Sequence, residues 1–257
     1  PQQMFGAAMK TYFAKSIDAD PNDICTVSIM PCLAKKGEQN MELFYEEYAG
    51  HDIDIVLTTR ELTRMIRATH IEPTTLQDVP CDELMRDASG AGVIFGATGG
   101  VMEAALRTSY FLITGKNPDA DAFHAVRRTR EDEFTMTAEI PIGDLVVKTA
   151  IVSGLGNARR LIERMERGEA HYDFVEVMAC PGGCVGGGGQ PIHDSEELAL
   201  TRSQNLYFLD ASNELRFCHE NPDIQKLYQD FMEAPLSHKA HMLLHTDHNI
   251  WEMPKRK

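Results

Sequence analysis

Between Glu176 and Pro191 the chain reads Glu-Val-Met-Ala-Cys-Pro-Gly-Gly-Cys-Val-Gly-Gly-Gly-Gly-Gln-Pro. Six glycines in so short a run raise the entropy cost of ordering it, so packing alone does not account for them. They permit backbone to come close to something bulky, with amide N–H groups left to point at it. Cys180 and Cys184 add two soft sulfur donors on the same bend, which suit an iron–sulfur cluster or zinc. A plain turn with two buried thiols, or a disulfide across the bend, would explain the cysteines alone. However, six cysteines in 257 residues do not make a small secreted scaffold; they fit a reducing compartment. A metal or cluster site is the better reading, entered from a strand over Asp173 to Met178.

A second stretch carries chemistry. Ile24 to Met30 reads as a buried strand, with Cys25 inside it, and stops at Pro31-Cys32. Proline lacks an N–H and ends the strand, and a cysteine at the carboxyl end of a parallel strand stands where open α/β sheets place their ligands. Lys35, three residues on, would offer a point charge to an anion there. Taken singly, Cys32 reads as a buried structural thiol and Lys35 as a solvated lysine. A third stretch, Gly96-Ala97-Thr98-Gly99-Gly100, opens into a good helix former and so presents helix-start amides. It lacks the Lys-Ser/Thr of a Walker loop and the dinucleotide glycine spacing, which argues against a nucleotide site.

The remaining pattern predicts an α/β chain. Pro1 to Ser16 has helical spacing, Ile53 to Thr58 is a strand, and Thr59 caps a helix to Ala68. Strands follow at Phe123 to Arg130, Glu133 to Ile140 and Asp144 to Val152, the last two forming a hairpin around Pro141-Ile142-Gly143. A helix over Asn157 to Arg167 stops at Gly168. From Ser195 the chain is a helical tail: Ser195 to Leu209, Pro222 to Met232 and Leu236 to His245. His238, His241, His245 and His248 share a face there and read as a partly buried or surface stripe more readily than as zinc ligands. We expect mostly parallel sheets flanked by helices in two lobes, around a buried cofactor site at the strand ends. The balance of 25 basic against 39 acidic residues, a net charge of −14, disfavours nucleic acid. No apolar run approaches the ~20 residues of a membrane span.

Three stretches together closely resemble the catalytic domain of [FeFe]-hydrogenases, the iron-only hydrogenases: Met30-Pro31-Cys32 with Lys35 and Glu38; Phe95-Gly96-Ala97-Thr98-Gly99-Gly100-Val101-Met102-Glu103-Ala104-Ala105-Leu106-Arg107; and Met178-Ala179-Cys180-Pro181-Gly182-Gly183-Cys184 running to Gln190-Pro191. The resemblance implies an H-cluster, a [4Fe–4S] cubane joined through one cysteine to a di-iron unit with CO, cyanide and a bridging dithiolate. By position, Cys32, Cys180 and Cys184 match cubane ligands, Cys184 the bridging one, and Lys35 matches the lysine that holds a cyanide. Gln2, Met30, Phe95 and Met178 match residues packed around the di-iron unit, and Gly96 would offer its backbone N–H. The implied reaction is reversible reduction of protons to hydrogen, with ferredoxin or a similar electron carrier and cluster-maturation proteins as partners, in the cytoplasm. The resemblance divides the chain into a catalytic domain, 1–192, and a small-subunit-like helical region, 193–257. The family's first motif, whose paired cysteines give a cubane ligand and a proton donor, is missing. The chain therefore reads as a carboxyl-terminal fragment, inactive alone. Hydrogenase-like iron–sulfur assembly proteins share the motifs around Pro31-Cys32 and Cys180; a sensory hydrogenase and a zinc-binding structural module are further alternatives.

Overall fold

The computed structural model describes residues 1–82, 85–127, 135–193 and 198–247. They belong to two compact units, Pro1–Ile71 with Gln225–Lys257, and Glu72–Ile224. The fold is mixed α/β, with small sheets that include parallel pairs.

In the first unit, β1 (Val27–Met30) pairs in parallel with β4 (Ile55–Thr58), Met30 opposite Thr58, and β2 (Tyr45–Glu46) forms a short antiparallel ribbon with β3 (Gly50–His51). β1 is not buried along its length as the sequence suggests. It alternates: Ser28 faces inward and donates to Oε1 of Gln2 at 2.7 Å, while Val27 and Ile29 are about half exposed. A strand with one partner keeps the period-two alternation of a half-covered sheet. Cys25 precedes this strand and is exposed. Thr58, not Thr59, caps helix Thr59–Ala68: its hydroxyl accepts the Glu61 N–H and the Glu61 carboxylate accepts the Thr58 N–H. A threonine closing a strand already has the extended backbone that a cap requires, and Glu61 completes a capping box.

The helical run at the start comprises Gln2–Ala8, a π-helical turn Met9–Phe13, and Ala14–Ser16. It is pinned by buried Lys10, whose ammonium pairs with Asp54 at 3.0 Å and donates to the carbonyls of Pro21 and Ile24. Against it, still within this unit, lies Phe231 of the π-helical turn Tyr228–Met232, 5.7 Å from the Tyr12 ring and 3.5 Å beneath the ammonium of Lys239. Helix His238–Leu244 follows, where the rings of His241 and His245 stack at 4.8 Å. Among the described residues no three His, Cys, Asp or Glu side chains are placed to hold a metal ion together. His248 lies outside the described residues.

The second unit is organised on three strands. β5 (Thr135–Ile142) and β6 (Leu145–Ser153) form the hairpin, turning at Gly143-Asp144, and β7 (Phe174–Met178) adds in parallel to β6. β6 is central and buried from Thr149 to Val152, because both its faces are covered. Ile151 packs with Met102 and Leu106 of helix Gly100–Thr114, together with Phe123, Val126, Ile140 and Ile142. Ala150 and Val152 pack on Ala158 and Leu161 of helix Leu155–Glu166. The strand expected at Phe123 to Arg130 is instead a 3₁₀ turn at His124–Arg127, so far as it is described; it places Phe123 and Val126 together in the core. The helix expected from Ser195 is observed as Ala199–Ser212, residues 194–197 lying outside the described ones.

Candidate functional site

β7 carries Glu176 into the buried interior and ends at Met178, two residues before Cys180. The Glu176 carboxylate accepts the Gly99 N–H at 2.6 Å through one oxygen and the Met102 N–H at 2.7 Å through the other. The amides expected to be presented at the start of helix Gly100–Thr114 are thus taken by a side chain of the same unit, and a carboxylate at a helix start has the favourable charge. Burial pushes the Glu176 carboxyl above its ordinary pKa; the amide bonds from Gly99, Met102 and Val101 offset only part of this. The bridge joins the two motifs, since one residue spans the strand that leads to Cys180 and the turn that follows Phe95 and Gly96.

The cysteine loop leaves β7 and is fastened at once. The Gly154 N–H donates to Met178 O at 2.7 Å; the Ser153 hydroxyl donates to Cys180 O at 3.0 Å and accepts the Gly182 N–H at 3.1 Å. The Thr98 N–H donates to Gly182 O at 3.2 Å, so the loop and the Gly96–Gly100 turn share a backbone bond. At this crossing Gly183 has φ +91°, and a Cβ there would lie 2.7 Å from Thr98 N and 2.9 Å from Gly96 O. Glycine is needed here for close approach, as the sequence suggests, but the object approached is another stretch of backbone. Gly182 and Gly96 make room for the helical tail: their added Cβ atoms would stand 2.8 Å from Ala199 Cβ and 2.8 Å from Leu206 Cδ1, respectively, whereas one at Gly186 would first meet Pro181 O of the loop itself, with Ala199 Cβ at 3.4 Å. The sequence marks the glycines but not the neighbour, because Ala199 and Leu206 lie in a segment with no sign of contact to the loop. No disulfide joins the six cysteines; Cys184 is exposed, Cys180 half-buried, and Phe95 and Met178 are partly covered.

Behind the turn is a buried ionic cluster that sequence reasoning missed. Arg107 and Glu103, one helical turn apart and both fully buried, bond at 2.8 Å, and Arg107 forks onto Asp210 of the tail helix at 2.9 and 2.7 Å. Arg127 bonds Glu103 at 2.6 Å, with its guanidinium 3.5 Å from the ring of Tyr207, whose hydroxyl reaches Thr98 O at 3.3 Å. Burial would push the Asp210 carboxyl up, yet the bonds from Arg107 and Arg216 hold it below its ordinary value. The signal available was an i, i+4 charge pair inside an apolar helix, which on a surface is only a weak local pair. Cys218 lies 3.5 Å from the Ser89 hydroxyl, and Cys81 is exposed.

The other candidate residues stand in the first unit. Cys32 is half-buried in the bend between β1 and helix Ala34–Gln39, at the carboxyl end of a parallel strand as expected; Met30 ends that strand. The Lys35 ammonium is engaged by Glu38. Gln2 is buried with Nε2 unpartnered, a donor left over after its carbonyl accepts from Ser28. In this unit the orphaned Gln2 donor and the Cys32 thiol, and in the second unit the two thiols on one bend, are each groups of the kind that suit an anionic sulfur cluster.

Gln3, Lys35, Glu38, Glu46 and Asp52 line a cavity of about 530 Å³ in this unit. Burial there, with Glu46 nearby, raises the Asp52 carboxyl to about 6. A carboxyl whose folded pKa lies above its unfolded one contributes stability at low pH and loses it as pH rises through the folded value. The stability of the first unit is therefore expected to fall between about pH 4 and 6 on account of Asp52. Asp52→Asn should remove this limb and add about 1 kcal/mol at pH 7, less than full linkage because solvent reaches the carboxyl. Denaturant midpoints of both proteins at several pH values check this; parallel curves for the two would refute it.

Residues 1–188 match the family model for the iron only hydrogenase large subunit, C-terminal domain, and residues 196–250 that for the iron hydrogenase small subunit. The chain is 45% identical to the NADP-reducing hydrogenase subunit HndD of Solidesulfovibrio fructosivorans over 96% of its length and 41% of that protein. It is 38% identical to iron hydrogenase 1 of Clostridium pasteurianum over 95% of its length and 43% of that protein. To cytosolic iron-sulfur assembly component 3 of Mus musculus it is 32% identical, over 99% of its length and 53% of that protein. The chain thus spans about half the length of the curated relatives it matches. Among solved structures, a variant of the [FeFe]-hydrogenase HydA1 from Chlamydomonas reinhardtii superposes with a TM-score of 0.80 at 38% identity, covering 96% of this chain and 68% of that one.

Proposed function

For a chain that belongs to the iron-only hydrogenase family, we propose that it serves reversible reduction of protons to hydrogen, as the H-cluster part of a longer enzyme. The observation that carries this reading is the joining of the Gly96–Gly100 turn to the cysteine loop through Glu176, on a chain that keeps Cys32, Cys180 and Cys184. In this proposal Cys32, Cys180 and Cys184 would hold a [4Fe–4S] cluster and, with it, a di-iron unit reached through Cys184. When bound, that group supplies the redox chemistry. The chain supplies position and surroundings. Lys35 gives a mobile ammonium for an anionic ligand, exchanging Glu38 for it. Gln2 Nε2 and the Gly96 N–H give neutral donors, and Met30, Phe95 and Met178 limit water. Ferredoxin or a similar carrier brings electrons, maturation proteins build the cluster, and the cytoplasm is the proposed location; no helix among the described residues is long and apolar enough to cross a membrane. We further take 1–192 as the catalytic part and 193–257 as small-subunit-like, a division supported by the two family models.

A second reading, an iron–sulfur assembly protein without hydrogen turnover, is favoured by 32% identity over 99% of the chain to such a protein. Anaerobic loading of the chain with iron and sulfide tests the cluster. Single alanine replacements of Cys32, Cys180 and Cys184 are each expected to reduce bound iron and acid-labile sulfide by more than half, and Cys25→Ala to leave both unchanged. Zinc bound without sulfide would refute the cluster. Hydrogen evolution by the intact longer protein, lost with Cys32→Ala, separates hydrogenase from assembly protein; a retained cluster without hydrogen favours the latter.

A further inference from the structure

We propose that Arg202, on the tail helix, is a positioning residue for the cysteine loop. Its Nη1 donates to Val185 O at 3.0 Å and its Nη2 to Pro191 O at 3.3 Å. The first carbonyl directly follows Cys184 and the second lies beyond the glycine run, so one planar fork fixes both ends of the Gly186–Gln190 bend. Within that bend the bonds are turn-like: Gly186 N–H to Gly183 O at 3.0 Å, Gly187 N–H to Cys184 O at 2.8 Å and Gln190 N–H to Gly187 O at 3.0 Å. Such turns leave a glycine-rich segment with high chain entropy unless its ends are held.

The helix presenting Arg202 is itself seated by the loop and the turn. Ala199 fits against Gly182 and Gly186, Leu206 against Gly96, and Asp210 onto Arg107. Positions 199, 202 and 206 share a helix face. The guanidinium therefore arrives at the carbonyls from a fixed base. Arginine suits two acceptors at a set spacing; lysine offers only a point donor.

This inference rests on the reading of Cys184 as a cluster ligand. The orientation of amides around the cluster's sulfurs tunes its potential, so Arg202 would act on the cluster through the backbone it holds. The test uses the whole chain as wild type, Arg202→Ala and Arg202→Lys. Without cluster, amide hydrogen exchange of peptides covering 184–190 is expected to accelerate roughly five- to thirtyfold in Arg202→Ala, the factor that one or two lost hydrogen bonds set in a local opening. Exchange in β5 to β7 should stay as in wild type. With iron and sulfide loaded, the EPR signal of the reduced cluster should broaden and its midpoint potential shift, with Arg202→Lys recovering part of both effects. Unchanged exchange at 184–190, or equal acceleration throughout the unit, overturns the proposal. Faster local exchange with an unaltered EPR signal and potential also overturns it, leaving a structural bond only. A wild-type chain that takes up no cluster overturns the cluster reading, and with it any action on the cluster, whereas the exchange arm still decides whether Arg202 holds the loop.

Discussion

Replacing Arg107 by methionine is expected to lower the stability of the second unit by about 3–5 kcal/mol, the cost of breaking a buried ion pair by removing one partner. The arginine is fully buried and donates to Glu103, to both oxygens of Asp210 and to Arg216 O, so its loss strands two acidic side chains away from water. Glu103 keeps Arg127 and Asp210 keeps Arg216, which places the effect toward the lower end of that range. Denaturant unfolding of the cluster-free chain, followed by circular dichroism, measures it. Arg107→Lys should cost less but still clearly destabilise, because a single ammonium cannot reproduce the fork on Asp210. Adding Asp210→Leu to Arg107→Met is expected to cost less than the sum of the two single changes, the signature of a coupled pair. Strict additivity would show that these side chains are independent and that the close geometry carries no energetic weight.

Gly183→Ala is expected to cost roughly 2–4 kcal/mol and to abolish stable iron binding, since a left-handed backbone and an overpacked contact each add roughly 1–3 kcal/mol. Here φ is +91°, and the new methyl would meet Thr98 N, Ala97 C and Gly96 O at 2.7 to 2.9 Å. All three are backbone atoms of a turn held by Glu176, so no side-chain rotation relieves the clash. The loop would have to lift away from the turn, carrying Cys180 and Cys184 with it. Gly37, inside helix Ala34–Gln39 with nothing within 4 Å of an added Cβ, is the control. Gly37→Ala should be neutral or stabilise by about 0.5–1 kcal/mol, as an alanine in a helix does. Melting curves and bound iron after anaerobic loading distinguish the two; equal behaviour of the variants would refute the close-approach argument.

Local patterns were readable in the chain where they set local structure. The β5–β6 hairpin, the helix stop at Gly168 and the strand running to Met178 follow from short-range rules and are observed, although the hairpin turns at Gly143-Asp144 with Pro141 and Ile142 still paired in β5. So is the placement of Cys32 at a parallel strand end. What escaped was long-range. Glu176 meets Gly99 across 77 positions and Arg107 meets Asp210 across 103, and no periodicity announces such partners. The 3₁₀ turn at His124–Arg127 looked like a strand because Phe123 and Val126 are apolar and β-prone, properties a core plug shares with a strand. The glycines suggest room for a ligand, and part of that room is filled by the tail helix. Composition records that something comes close, not what it is.

The seating of this helix has a consequence for how the unit tolerates being divided. Only seven residues separate Pro191, whose carbonyl Arg202 holds, from Ala199. So short a tether keeps the helix at an effective concentration on the order of millimolar beside its groove. Polar bonds and glycine gaps that would make a weak complex between separate molecules therefore suffice within one chain. If the polypeptide were cut in this interval, the same contacts would answer to mass action, and the order of the cysteine loop would depend on dilution.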